Sequence, residues 1–497
     1  MRGAMKLKQI IADVGIADAE DVVDREISGI AYDSRRVTPG MLFVAIRGRN
    51  VDGHEYIKTA IKRGAAAVIC QSDAPTHSPL GALSVPNTRV ALARTAAAFY
   101  DHPSAKLEVV GVTGTNGKTT VSFMLKHILE TVGRKTGLLG TVRYEIGERM
   151  IPAQRTTPEA LEIQQMMRQM LRANCVDCVM EVSSHGLEQN RVDQVEFDVA
   201  IFTNLTPEHL DYHGGMEPYF AAKRKLFESL RSGPKTGSAV INVDDPYGVR
   251  LAEELADLDC LTFGRAESAD LRLEEISVSA DATRFTFAAS GVAHQCELPL
   301  IGRYNAMNAL AAIGGALKLG VSVFDAVRAL RSVATVPGRL EEVNAGQPFS
   351  VLVDYAHTED ALSNAMTTLR EIADGRLLTL FGCGGNRDAQ KRAAMGEVTA
   401  RMADLAVLTS DNPRNESPES IADQVMVGYA SVRDEGCLVE LDRARAIEEI
   451  IRMAQPGDIV LIAGKGHETY QEFKNTVVPF DDRVHAREAL ETLGYTD

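Results

Sequence analysis

Apolar residues along the chain fall into short unbroken runs separated by stretches of helical spacing. The clearest run lies in residues 106–120, KLEVVGVTGTNGKTT, where Val109, Val110 and Val112 predict a buried strand that breaks into glycines and threonines. The following VSFMLKHILETVG carries Val121, Leu125, Ile128 and Leu129 on one helical face. From residue 339 onward the rhythm repeats. FSVLVDYAH, RLLTLFGCGGNRD, ADLAVLTSDNPRNE and GDIVLIAGKGHE each predict a strand, with helices over KRAAMGEVTARM, PESIADQVMVGYA and DRARAIEEIIRMAQ. Such alternation specifies α/β architecture, a mostly parallel sheet with covering helices.

Three units are expected. In residues 1–105, IAYDSRRVTPGMLFVAIRG holds two strands around Pro39-Gly40, and DGHEYIKTAIKRGAAAVIC a helix and then a strand, which predicts a small α/β unit. Residues 106–338 add strands in CVDCVMEVSSHG, FDVAIFTNL and GSAVINVDD, a helix over PYFAAKRKLFESL, and a small-residue helix in GRYNAMNALAAIGGALKLG suited to close packing on a sheet. PGRLEEV (337–343) breaks this pattern and places the third unit at 339–497. On the residues alone, Asp33-Ser34-Arg35-Arg36 reads as a solvated strand end and Lys223 as an ordinary surface lysine.

At 497 residues the chain exceeds one ordinary core, in keeping with several units. Its 45% hydrophobic and 24% charged residues are the proportions of a soluble globular protein. A formal net charge of −15 argues against a nucleic-acid partner, because a phosphate-binding surface shows as a basic excess. The N-terminal stretch lacks the apolar core of a signal peptide, and no segment approaches about 18 uninterrupted apolar residues, so a cytoplasmic location without membrane insertion is expected. The seven cysteines are scattered; Cys175 and Cys178 form a CxxC inside CVDCVMEV and read as buried strand thiols rather than a zinc or redox pair.

The loop after the first strand is a candidate phosphate cradle. Gly111, Gly114 and Gly117 let backbone N–H groups approach phosphate oxygens, Lys118 brings a charge, and the hydroxyl that follows it can ligate Mg²⁺. The spacing departs from GxxxxGK[ST] at Val112. Glu181, at the tip of an apolar strand, is a candidate partner for a nucleotide's Mg²⁺. TPEHLDYHG gathers Glu208, His209, Asp211 and His213 in one short loop, candidates for a metal or phosphate role. In the third unit, Asp354 to His357, Gly382 to Asp388, Asp411 to Arg414 and Gly464 to Glu468 each follow a strand and are expected to meet along the carboxyl edge, where such sheets bind ligands.

In this order over nearly the whole chain, GVTGTNGKTT, EVSSHGLEQNR, NLTPEHLDYHG, AAKRKLF, GRYNAMN, PGRLE, DYAH, GCGGNRD, DNPR and GKGHE resemble the Mur ligases of peptidoglycan synthesis. The closer resemblance is to the branch that adds the third residue to UDP-N-acetylmuramoyl-L-alanyl-D-glutamate. The resemblance implies a UDP-substrate domain (1–105), a central P-loop-type ATPase (106–338) and a Rossmann-like amino-acid domain (339–497). It also implies ATP as substrate and Mg²⁺ held by Thr119, Glu181, His209 and Lys223, the last carried as N6-carboxylysine. Lys118, Glu181, His209 and Lys223 match the family's catalytic positions. The ATP site carries over to Gly114, Thr115, Asn116, Gly117, Lys118, Thr119, Thr120, Asn305, Arg339 and Asp354. The UDP-muramoyl-dipeptide site carries over to Tyr32, Ser34, Arg49, Asn50, Val51, Arg155, Thr156, Thr157, Ser183, Gln189 and Arg191.

In this family DNPR marks members that take meso-diaminopimelate, and its contacts carry over to Arg387, Asp411, Asn412, Pro413, Arg414, Gly464 and Glu468. The chemistry agrees, since a planar guanidinium receives the second carboxylate of diaminopimelate through two parallel hydrogen bonds. The expected protein is a monomeric ligase of small molecules working through an acyl phosphate. The alternatives are a lysine-adding relative, separated by Arg414, a folylpolyglutamate synthase-like ligase, and a nucleotide-switched binding protein without chemistry.

Overall fold

The computed structural model describes residues 4–12, 14, 25–48, 51–72 and 82–496. Its strands form three principal sheets in succession along the chain. The first contains Gly29–Ala31, Met41–Val44, Ala67–Gln71 and Ala82–Val85, in that order and all parallel. The two strands flanking Pro39-Gly40 are therefore not a hairpin. Asp33 caps a 3-10 turn, Ser34–Arg36, and Gly40 at φ +87° returns the chain to start a parallel neighbour. The helix Thr88–Tyr100, capped by the Asn87 side chain, closes this unit, and Leu161 from the next unit joins its core.

The second sheet has eleven strands. From Thr136–Leu139 to Leu271–Val278 its neighbours run parallel, with Glu108–Thr113 set between Asp177–Glu181 and Val199–Phe202. Alternate residues of Glu108–Thr113 serve two cores. Val110 and Val112 pack under the helices Lys118–Thr131 and Arg303–Lys318, and Val109 lies on the opposite face with Phe197 and Leu226. Gly111 is needed on that face, since a Cβ there would meet Phe197 at 2.8 Å. The expected close packing of the small-residue helix is present. A Cβ on Gly314 would stand 2.7 Å from Val240, and one on Gly315 2.8 Å from Ile201. The antiparallel arm Leu271–Val278, Thr283–Ala289 and Val292–Leu298 is not anticipated by the parallel-sheet reading.

The third sheet orders Glu341–Glu342, Ser350–Asp354, Ile459–Ala463, Leu377–Phe381, Leu405–Leu408 and Cys437–Val439, parallel except for the first. The alternation read from sequence in this unit is thus observed. The hairpin Tyr470–Phe473/Thr476–Pro479 and the helix Asp482–Thr492 are additions. That helix is tied down by Asp482, whose carboxylate takes Arg443 Nε at 2.7 Å and Nη2 at 2.8 Å, with both side chains 0% exposed. Cys175 and Cys178 are buried and free; Cys178 lies in the strand Asp177–Glu181 as expected, and Cys175 stands two residues before it. Among the described residues no helix is long and apolar enough to cross a membrane.

Candidate active site

Because Glu108–Thr113 pairs in parallel with a strand on each side, the loops after all three strands emerge together. The first is the glycine-rich loop. Gly114 (φ +147°) could not carry a side chain, as its Cβ would stand 1.9 Å from Thr203 Oγ1. A Cβ on Gly117 (φ +89°) would stand 2.4 Å from Asn308 Oδ1, and this glycine caps the helix Lys118–Thr131. Thr119 Oγ1 donates to Glu181 Oε2 at 3.0 Å, and Glu181, fully buried, also takes the Thr141 N–H at 2.8 Å.

Two lysines converge on one oxygen here. Lys118 Nζ donates to Gly114 O at 2.9 Å and Lys223 Nζ donates to the same carbonyl at 2.8 Å. Lys223 is 1% exposed, which corrects the surface-lysine reading; it lies over the Tyr219 ring, and neither lysine has a carboxylate at ion-pair distance among the described residues. Burial, then the charge of Lys118, pushes the Lys223 amine well below its ordinary value, and burial lowers Lys118 too against the pull of Glu208 and Glu181.

The third loop differs from expectation. Glu208 and His209 sit in it, but Leu210–His213 forms a helical turn, and His213 Nε2 is spent on Ser184 Oγ at 3.0 Å. Glu208 Oε1 lies 3.7 Å from His209 Nε2 and 3.7 Å from His357 Nε2 of the third unit. Burial raises the Glu208 carboxyl, but His357, His209 and Lys118 outweigh it and hold the group well below the carboxylate range.

Mg²⁺ prefers oxygen donors. The Thr119 hydroxyl touching the Glu181 carboxylate fits that preference; Lys223 fits it only once its amine carries a carboxylate, and His209 adds a nitrogen. Among the described residues no group of three or more His, Cys, Asp or Glu side chains is arranged to hold a metal.

The expected dipeptide-site residues form a connected patch beside this cradle. Thr157 Oγ1 donates to Glu181 O at 2.9 Å and accepts from Ser183 N at 2.9 Å. Arg191 donates to Thr157 O and to Gln189 Oε1, and it shares Glu159 with Arg155. Thr156 Oγ1 meets Thr141 Oγ1 at 3.0 Å. Tyr32 OH donates to Glu162 Oε1 at 2.9 Å, tying the first unit to the second, and Ser34 is buried in its turn. Val51 is exposed, and Arg49 and Asn50 lie outside the described residues.

Of the expected ATP residues, Arg339 Nη2 reaches Thr119 Oγ1 at 3.4 Å. Asn305 stands one step back, bonded to Ile301 O and to Asn308, the residue that faces Gly117. The second asparagine of GRYNAMN was the available signal for Asn308. Asp354 is buried and bonds backbone, accepting Leu340 N with Oδ2 and Ala356 N with Oδ1.

The four loops of the third sheet do meet. Gly464 N donates to Asp354 O, Arg414 Nη1 donates to Gly385 O at 2.9 Å, and Asn412 Nδ2 donates to Glu468 Oε2 at 2.9 Å. Lys465, buried, donates to Glu468 at 2.9 Å and Asn412 at 3.2 Å, and stands 3.6 Å from Asp411. Pro413 O accepts the Glu416 N–H, while Arg387 is exposed and contacts its own loop. This edge lies against the cradle. Asn116 Nδ2 donates to Asp360 Oδ2 at 2.6 Å, and the His467 imidazole, pushed down to about 3 by burial, lies against the Thr141 backbone.

A phosphate loop set against the ligand edge of a second parallel sheet brings a site suited to phosphate beside a second ligand site. Residues 26–100 match the Mur ligase family catalytic domain, residues 112–316 the Mur ligase middle domain and residues 338–466 the Mur ligase glutamate ligase domain. The chain is 44% identical over 486 residues to the UDP-N-acetylmuramoyl-L-alanyl-D-glutamate–2,6-diaminopimelate ligase of Syntrophomonas wolfei subsp. wolfei, covering 98% of this chain and 99% of that one. It is 44% identical over 493 residues to the ligase of the same name from Solibacter usitatus, covering 99% of each. A solved structure of a ligase with this name aligns at TM-score 0.68 and 30% identity, covering 99% of this chain and 100% of the other. The chain belongs to the Mur ligase family, and it is a ligase.

Proposed function

We propose that the protein joins meso-diaminopimelate to the D-glutamyl γ-carboxylate of UDP-N-acetylmuramoyl-L-alanyl-D-glutamate, with ATP converted to ADP and phosphate, in peptidoglycan precursor synthesis. The observation that carries this reading is the placement of Arg414. Its guanidinium donates to Gly385 O, on one of the four loops that meet along the third sheet's carboxyl edge, the edge that the Asn116–Asp360 contact holds against the phosphate cradle. The likeness to ligases of that name over nearly the full chain supports the same substrates.

In this reading residues 1–105 hold the UDP end, 106–338 the ATP and the dipeptide, and 339–497 the amine. The γ-carboxylate oxygen attacks the γ-phosphorus of ATP in line, the bond to the bridging oxygen breaks, and ADP leaves. The diaminopimelate amine then attacks the acyl carbon, loses a proton, and the tetrahedral centre expels phosphate. Lys118 and Arg339 stabilise the charge on the transferring phosphoryl group. Mg²⁺, when held by Thr119, Glu181, His209 and a carboxylated Lys223, screens the repulsion between the two anions. Arg414 and Arg387 receive the distal carboxylate, and Glu468, already held by Lys465, faces its ammonium. The third domain, closed over the cradle, keeps water from the acyl phosphate. We further assign the enzyme to the cytoplasm as a monomer without a nucleic-acid partner.

The test is ADP release with the UDP-muramoyl-dipeptide and either meso-diaminopimelate or L-lysine. Release that requires the dipeptide and prefers meso-diaminopimelate is expected; preference for L-lysine would replace this reading with its neighbour, and release independent of both substrates would remove it.

A further inference from the structure

The hairpin Tyr470–Phe473/Thr476–Pro479 lies outside every motif that the sequence singled out, yet it is fastened to the loop that carries Arg414. Gln471, buried, donates to Asp411 O at 3.0 Å, and Asn412 Oδ1 accepts the Glu472 N–H at 2.9 Å. Arg414 itself occupies the left-handed region (φ +53°), its N–H donating to Glu472 O at 3.0 Å. Its Nε donates to Glu472 Oε2 at 2.8 Å and its Nη1 to Gly385 O at 2.9 Å.

We infer that Glu472 is a positioning residue for the amine substrate: by taking the Nε edge of Arg414, while Gly385 O takes Nη1, it fixes the guanidinium plane and leaves Nη2 and the second Nη1 hydrogen for a carboxylate. The inference rests on the reading of Arg414 given above. A long cationic side chain otherwise loses its rotamer freedom when the ligand binds, and holding it beforehand removes that cost from binding. The glycines beneath leave room for this geometry, since a Cβ on Gly384 would stand 3.1 Å from Arg414 Nη1. Glu472 is 40% exposed, and such a half-solvated ion pair adds little to fold stability. Its geometry is explained by orientation rather than by folding.

The experiment is steady-state ADP release by the full-length enzyme for wild type, Glu472→Gln, Glu472→Ala, Arg414→Ala and the Glu472→Ala/Arg414→Ala double variant. Glu472→Ala is expected to raise the KM for meso-diaminopimelate about tenfold, with Glu472→Gln between it and wild type because its amide oxygen still accepts from Nε. The KM values for ATP and for the dipeptide are expected to stay within about twofold, and in the Arg414→Ala background the Glu472→Ala change is expected to add less than about twofold. An unchanged KM for meso-diaminopimelate in Glu472→Ala, or a full multiplicative effect in the double variant, would overturn the inference. If Glu472→Ala fails to fold, Glu472→Gln decides, and a KM within about twofold of wild type overturns it. A wild type that prefers L-lysine would instead overturn the substrate reading, whatever the Glu472 variants do.

Discussion

Asn116, in the phosphate loop of the central domain, donates through Nδ2 to Asp360 Oδ2 of the third domain at 2.6 Å, and Thr206 Oγ1 approaches the same carboxylate at 3.4 Å. On the proposed function this contact links the nucleotide loop directly to the domain that would bring the amine. Asp360→Ala removes a charge-assisted bond, worth about 1.5–3 kcal/mol, and is expected to lower kcat/KM for the amine roughly ten- to a hundredfold. Small-angle scattering with ATP bound should show a more open molecule for the variant; a profile and a kcat/KM equal to wild type would remove the contact from the closing movement.

Lys223 is expected to act as a carbamate. Two amines on the Gly114 carbonyl repel each other with no carboxylate at ion-pair distance among the described residues, and a neutral amine is the form that adds CO₂. Activity should fall in CO₂-free buffer and return with bicarbonate. Lys223→Ala should lose activity that a short carboxylic acid partly restores. A carbamate carbon resonance should appear with ¹³C-bicarbonate in wild type and not in the variant; wild-type activity that is unchanged in CO₂-free buffer would refute the modification.

Arg414→Ala should weaken use of meso-diaminopimelate by about 2–5 kcal/mol, the range for truncating one partner of a buried charge pair. ATP and dipeptide kinetics should change little. The readout is the Michaelis constant for the amine, and an unchanged value would place the distal carboxylate elsewhere.

Stability should respond most to the Arg443–Asp482 pair. Asp482→Ala leaves a buried guanidinium with backbone carbonyls only and is expected to cost about 3–5 kcal/mol, measured by urea unfolding. A loss below about 1 kcal/mol would mean that water enters and solvates Arg443.

Acid stability has a separate source, on the sheet edge away from the site. Burial pushes the Asp458 carboxyl up, but Arg376 at 2.6 Å and the N–H groups of Arg376 and Gln455 outweigh it and hold the group below its ordinary value. A lowered folded value means that the stabilisation is complete above the unfolded value of about 3.9 and is lost as pH falls through the folded one. Melting temperatures of wild type and Asp458→Asn should therefore converge as pH drops below about 4. Parallel curves would contradict this.

The strand-and-helix rhythm of the third domain was legible because both faces of a parallel sheet are covered, so its strands read as unbroken apolar runs. The cradle was legible because Gly114 and Gly117 have local reasons to be glycine. Lys223 was not, because its neighbours Arg224 and Lys225 face solvent and pair with Glu228 and Glu188, and local composition carries no sign of which cation turns inward. Nor did the sequence show Glu472 or Asp360. Each acts across a tertiary contact, where the partner is set by how sheets stack rather than by spacing along the chain.

Gly338, at φ +67°, has Tyr355 N donating to its carbonyl, and a Cβ there would stand 2.2 Å from His467 N. With Leu340 N held by Asp354, the segment that joins the two domains is fastened to the third. Arg339 lies in this segment and reaches Thr119 Oγ1 at 3.4 Å, so a third domain that swung away would take a cation from the cradle with it. On the proposed function such a linkage would act as a safety catch: ATP bound before the amine-bearing domain docks would lack that charge, and idle hydrolysis would be suppressed.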